Sequence, residues 1–175
     1  MWSAIFTENN RTYQEPTLVL FRSATPSGCG MSTSQVGPHY CPLDNTIYLD
    51  ETFFDELTTR LGAQGGDVAE AYVISHEVGH HIQNLLGTME QVRDKQQRNP
   101  GMANDLSIAL ELQADCYAGL WANYVKEFQI FEPGEIREAM DAASSVGDDR
   151  IQEKVSGQVN PESWTHGSSQ QRVDA

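Results

Sequence analysis

Residues 76 to 80 read His76-Glu77-Val78-Gly79-His80, and their types and spacing spell metal-assisted hydrolysis. On a helix, positions four apart lie on one face, so the two imidazoles can grip one metal ion. Glu77 lies about 100° around the helix from His76, near enough to hydrogen-bond a metal-bound water without being a ligand. Two neutral imidazoles suit zinc, and a free carboxylate beside them can take a proton from water. An amphipathic helix with two surface histidines would carry the same letters, so the remaining ligand must be sought elsewhere.

A catalytic zinc needs a third protein ligand and keeps its fourth position open. The metzincin arrangement requires Gly three residues and His six residues after the second histidine, where Gln83 and Leu86 stand. An Asp ligand in a Gly-Thr-x-x-Asp segment fails too, because Gly87-Thr88 is followed by Met89, Glu90 and Gln91. What remains is a glutamate on a second helix with an aspartate one turn later, Glu111 and Asp115. From Asp105 to Phe128 apolar residues recur at helical spacing, which predicts a largely buried helix. Two carboxylates one turn apart are costly there unless bound or paired. Zinc on Glu111, with Asp115 accepting a ring N–H of a ligating histidine, removes that cost. A solvated acidic stripe is the alternative.

The segments Ser75–Gln83, Glu111–Gly119 and Thr165–Arg172, with Gly28–Gly30, Tyr40–Asp44 and Ile47–Asp50 upstream, resemble the YpfJ-like neutral zinc metallopeptidase family in the same order over nearly the whole chain. More distantly, the series is similar to HtpX-type and CAAX-processing membrane metallopeptidases, whose last motif usually has Pro where Gly167 stands. The resemblance implies a zincin-like fold of the α+β class, helix-dominated, with a small antiparallel sheet preceding the metal-binding helix. It implies a zinc metalloendopeptidase acting on protein or peptide chains, with Zn2+ held by His76, His80 and Glu111. Glu77 is then the general base and Asp115 orients a histidine. For His166 three roles stand open: donor to the developing oxyanion, a ligand that closes the metal's fourth position, or a structural element ahead of a helix capped by Ser168. Arg172 is expected to pair with a site carboxylate such as Asp115, or with surface acid. In such peptidases an edge strand beside the site holds substrate backbone, and Ile47 to Leu49 is the local candidate; an ordinary packed hairpin fits those residues equally. The competing reading is a latent or inactive zinc-stabilised binding or chaperone-like module, with a zinc hydrolase of non-peptide amides as a third.

Whatever positions these residues fits into 175 residues, enough for a single domain over 1–175 with a real core. A net charge of −14 argues against nucleic acid and anionic membrane surfaces as partners. No apolar run reaches the roughly 18 residues of a membrane span. The resemblance implies relatives with an N-terminal anchoring segment, so the chain reads as an excised or short catalytic domain whose membrane association would come only through such a segment. Cys29 and Cys41 flank a turn-rich stretch in which a disulfide would close the loop; two reduced thiols are the alternative. With the family, the disulfide implies a periplasmic, extracellular or outward-facing anchored protein in a bacterium. Cys116 is expected in the core, His81 off the metal face and partly buried, and His39 on the surface.

Residues 17 to 22 and 46 to 49 are the best strand candidates, and an antiparallel pairing is expected across the cysteine loop. Asp50 is expected to cap a helix over 51 to 61, and Asp67 with Glu70 to open the metal helix, which Gly87 stops. Residues 88 to 101 predict a short helix and a loop near the cleft. A break at Glu132-Pro133-Gly134 precedes a helix over roughly 134 to 147. Asp148-Asp149-Arg150 reads as a local acidic turn, and a loop from Ser156 delivers Thr165 and His166.

Overall fold

The computed structural model describes residues 1–129, 131–132 and 134–175. The break expected at 132 to 134 includes Pro133, which lies outside the described residues. Helix dominates, with two small sheets, as the α+β reading anticipates. Two long helices carry the candidate metal-binding residues: α3 (Asp67–Leu85) and α5 (Ala103–Lys126). They pack against each other at Gly79, where an added Cβ would sit 2.9 Å from the Ala114 carbonyl oxygen and 3.0 Å from its Cα. The small pair Gly79 and Ala114 thus sets how closely the third ligand's helix can approach.

The principal core lies beside this contact. Tyr72 and Val73 of α3 and Ala118 of α5 meet Leu57 of α2 (Phe53–Thr59) and Ala142 and Ala143 of α6 (Ile136–Ser145). Helix α5 departs from expectation, since only Ala114, Asp115 and Ala118 are buried and Leu120 and Tyr124 face outward. It packs most tightly through a narrow stripe at Ala114 and Ala118, which leaves its other apolar side chains partly buried or exposed. Cys116 is exposed rather than in the core for the same reason.

The sheet beside α3 is mixed, not purely antiparallel. Strand β5 (Thr46–Asp50) runs parallel to β1 (Thr17–Phe21) and antiparallel to β4 (His39–Cys41), in the order β1-β5-β4. Between β1 and β5 the chain makes a separate hairpin, β2 (Ala24–Ser27) with β3 (Gly30–Thr33), and then reverses again from β4 into β5. Those extra reversals bring β5 back in the direction of β1. Every residue of β5 is buried, so Ile47 to Leu49 form the central strand and offer no free edge to a substrate. The edges are β1 and β4, and Cys41 of β4 is joined to Cys29 by a disulfide.

Helix starts also differ from the sequence rules. Asp50 closes β5, and its Oδ1 accepts from the Thr52 amide and hydroxyl; Thr52, not Asp50, occupies the cap of α2. Gly66 precedes α3 without a side-chain cap, which leaves Asp67 as its first helical residue. Gly87, at φ +77, ends α3 as expected and opens α4 (Thr88–Arg98), followed by a short 3-10 turn at Pro100–Met102. Asp148 to Arg150 form the first turn of helix α7 (Asp148–Ser156) rather than an isolated turn. A last helix, α8 (Ser169–Asp174), closes the described chain. Among the described residues no helix is long and apolar enough to cross a membrane.

Candidate metal centre

His76 and His80 face the same side of α3 because they are one turn apart, and both rings are buried. Across from them α5 presents Glu111, with Oε2 3.2 Å from His76 Nε2 and Oε1 3.4 Å from His80 Nε2. The three ligand atoms lie within 4.8 Å of one another. That is the donor set the spacing anticipated: two imidazoles from one helix and a carboxylate from the next.

The surroundings fix these groups. His76 Nδ1 lies 2.7 Å from Asp115 Oδ1, and the same oxygen accepts from the Tyr72 hydroxyl at 2.5 Å and Arg172 Nη2 at 2.9 Å. Arg172 Nε donates to the other oxygen at 2.8 Å, completing a bidentate pair, and only 6 % of Arg172 is exposed. The expected pairing of Arg172 with Asp115 is therefore present, and Asp115 bridges it to His76. On the other ring, His80 Nδ1 lies 2.9 Å from Gln83 Oε1. Tyr72 stands in no motif, whereas Gln83 ends the Ser75–Gln83 segment; one turn before His76 and one turn after His80, both share the helix face of the histidines.

Charge reinforces the geometry. Burial opposes the charged form of His76, but Asp115 and Glu111 outweigh it and push its pKa up to about 9. His80 is raised as well, with Glu111 overcoming burial. Burial likewise opposes the ionised carboxyls, yet His76 and His80 hold Glu111 well below its usual range. His76 and Arg172 hold Asp115 down at about 2. Surroundings that favour a proton on two imidazoles beside a carboxylate also favour a divalent cation there.

Glu77 stands next to this cluster, buried, and among the described residues its Oε2 has no hydrogen-bond partner. An unsatisfied buried carboxylate oxygen costs free energy unless something polar meets it. With two imidazoles and a carboxylate converging beside it, the residues fit a zinc ion and its water.

The cluster opens into a cleft of about 520 Å³ whose lining includes Pro38, His39, Tyr40, Val146, Ile151 and His166. His39 is thus a cleft residue rather than a plain surface one. It is half-buried, held by the Gly37 carbonyl at 3.0 Å and the Ser32 hydroxyl at 2.9 Å. His81 points away as expected, buried between the Tyr40 hydroxyl at 3.0 Å and the Gln14 carbonyl at 2.6 Å.

His166 lines the cleft but lies outside the three-residue cluster, with half of its side chain exposed. Its loop is held by the first turn of α7. Asp148 Oδ2 accepts from the amides of Thr165, His166 and Gly167 at 2.7, 2.6 and 3.1 Å, and Asp149 takes the Ser169 amide and hydroxyl. Gly167 has φ +90, which proline cannot adopt, so this loop differs in backbone from one with Pro there. Ser168 caps α8 in a reciprocal capping box with Gln171, which delivers Arg172 to Asp115.

Residues 1–175 match the family described as "Putative neutral zinc metallopeptidase". The chain is 48% identical to "Uncharacterized protein YpfJ" of Escherichia coli (strain K12) over 98% of its own length and 60% of that protein. It is 45% identical to "Uncharacterized protein Mb2605" of Mycobacterium bovis, over 91% of its length and 57% of that protein. The chain therefore spans well under two thirds of the curated relatives it matches. No solved structure matches it. A family match that runs from the first residue to the last, shared with relatives near half identity, decides the assignment: this chain belongs to the putative neutral zinc metallopeptidase family.

Proposed function

We propose that the chain is the catalytic unit of a zinc metalloendopeptidase that hydrolyses protein or peptide chains outside the cytoplasm. The observation that carries this reading is Glu77 Oε2, buried without a partner among the described residues, beside the convergent His76, His80 and Glu111. A module that only needed zinc for stability has no use for an unpaired carboxylate at that point.

Zinc held by His76, His80 and Glu111 would supply Lewis acidity, polarising the scissile carbonyl and acidifying water. Glu77 takes the water's proton at its free oxygen and later gives it to the leaving amine. Asp115 keeps His76 oriented, and Arg172 and Tyr72 keep Asp115 charged in the interior. His166, which lines the same cleft, is the candidate donor to the developing oxyanion. Its position outside the ligand cluster favours this over a role closing the metal's open position. The substrate runs extended along β4, the edge strand that lines the cleft, in place of the central Ile47 to Leu49. The Cys29–Cys41 disulfide supports an oxidising compartment. The partner class is a protein or peptide, not nucleic acid, consistent with the net charge of −14.

The test is cleavage of a diverse mixture of unstructured peptides by the zinc-loaded protein, read by mass spectrometry beside Glu77→Gln. New internal termini are expected from the unmodified protein alone, while both proteins bind zinc. Equal absence of cleavage from both would favour a zinc-stabilised binding module.

A further inference from the structure

Gln83 follows His80 by one turn on α3 and has none of its surface exposed. A buried amide left with an unpaired polar atom costs about 1–3 kcal/mol. Here each end is engaged. Nε2 donates to the Leu110 backbone carbonyl at 2.6 Å and to Gln113 Oε1 at 3.1 Å, and Oε1 lies 2.9 Å from His80 Nδ1.

The orientation of that amide is forced. A backbone carbonyl only accepts, so the flipped amide would set two oxygens 2.6 Å apart at Leu110. Oε1 must therefore face His80 and, being an acceptor, requires the proton on Nδ1. In the neutral ring this leaves the lone pair on Nε2, the atom that faces Glu111 Oε1 at 3.4 Å.

We propose that Gln83 is a positioning residue of the metal centre: clamped to α5 through its amide nitrogen, it selects the His80 tautomer whose Nε2 is free to bind metal. The proposal rests on the zinc reading above. The amide nitrogen's bond to Leu110, the residue before Glu111, sets which end of the amide faces His80. One side chain thus ties the ring of the second ligand to the backbone beside the third. His76 is oriented by a carboxylate that Arg172 neutralises; an amide orients His80 without adding another carboxylate to the buried Glu77 and Asp115 and the partly buried Glu111.

The experiment compares zinc affinity, by competition with a chromogenic chelator, for the unmodified protein, Gln83→Met and Gln83→Glu. Methionine keeps the length and removes the acceptor, and zinc should bind about 10- to 100-fold more weakly. Glutamate keeps an acceptor for His80 but sets an oxygen against the Leu110 carbonyl. It should bind zinc within about threefold of the unmodified protein while the metal-free melting temperature falls. A residue that merely cross-links two helices predicts equal loss in the two variants, since both lose the donor to Leu110. Normal affinity in Gln83→Met, or an equal loss in Gln83→Glu, overturns the proposal.

A second measurement needs no variant. Long-range 1H–15N spectra of the zinc-loaded, unmodified protein should show His80 protonated at Nδ1, and the opposite tautomer overturns the proposal even if Gln83→Met does not fold. An unmodified protein that binds no zinc would sink the zinc reading together with this one. Zinc bound normally by Gln83→Met would sink this one alone.

Discussion

Asp115 receives donors from three residues, His76, Tyr72 and Arg172, in a site that leaves 5 % of it exposed. Its removal acts twice. Asp115→Ala leaves the Arg172 guanidinium buried without a counter-charge, and breaking one side of a buried pair costs about 3–5 kcal/mol. It also frees the His76 ring, which should weaken zinc by about 10- to 100-fold. Urea denaturation of the metal-free variant and chelator competition read the two effects separately. Unchanged urea midpoints would mean that Arg172 finds another partner. Asp115→Asn, which keeps one acceptor oxygen, should lie between Asp115→Ala and the unmodified protein in both measurements.

At the scale of elements, the candidate metal centre comes together because α3 and α5 approach closely at Gly79. Glycine within a helix ordinarily costs about 1 kcal/mol relative to alanine. Gly79→Ala would recover that propensity but drive a methyl against the Ala114 backbone, at 2.9 Å from its oxygen. Backbone cannot yield without moving the helix, so a net loss of about 1–3 kcal/mol is expected. Because Glu111 lies one turn before Ala114, zinc affinity should fall with it. Melting curves with and without zinc test this; a stabilised variant would show that α5 can slide without disturbing the ligand.

Two predictions belong to the whole molecule. The Cys29–Cys41 bond spans 12 residues and fastens β4, one wall of the cleft, to the hairpin turn that precedes it. Closing a loop of this length stabilises by about 3 kcal/mol in the chain-entropy account. Reductant should therefore lower the melting temperature and raise KM more than it lowers kcat; an unchanged melt would mean that the wall is held by packing alone. Acid should act through buried carboxylates. Burial opposes their ionisation, but hydrogen bonds from Ser34, Thr52 and Ser23 hold Asp50 below its usual value, and His76 and Arg172 hold Asp115 at about 2. Such groups bind fewer protons folded than unfolded, so their stabilisation is complete above roughly pH 4 and is lost as pH falls through the folded values. The urea midpoint of the metal-free protein should drop between about pH 4 and pH 2, and a flat profile there would contradict the pairing.

The chain's order of residues determined the helix pair and its candidate ligand set, because helical periodicity converts sequence spacing directly into position on one face. His76, Glu77, His80, Glu111 and Asp115 were legible for that reason, and so was the stop at Gly87. The pairing of Arg172 with Asp115 was open in the sequence as one of two expectations; the capping box that aims α8 decided it. Sheet order was not legible, since which strands meet depends on reversals between them rather than on their own alternation. That is why Ile47 to Leu49, which read as a substrate edge, became the buried centre, and why β4 with His39 took the cleft wall. The partial exposure of α5 was hidden too, because the count of apolar residues on a helix does not say how many neighbours will cover it. Only the packed structure set Gln83 between His80 and the Leu110 carbonyl: a buried glutamine carries no periodic signal, and its meaning comes from the groups that tertiary contact brings within hydrogen-bonding distance.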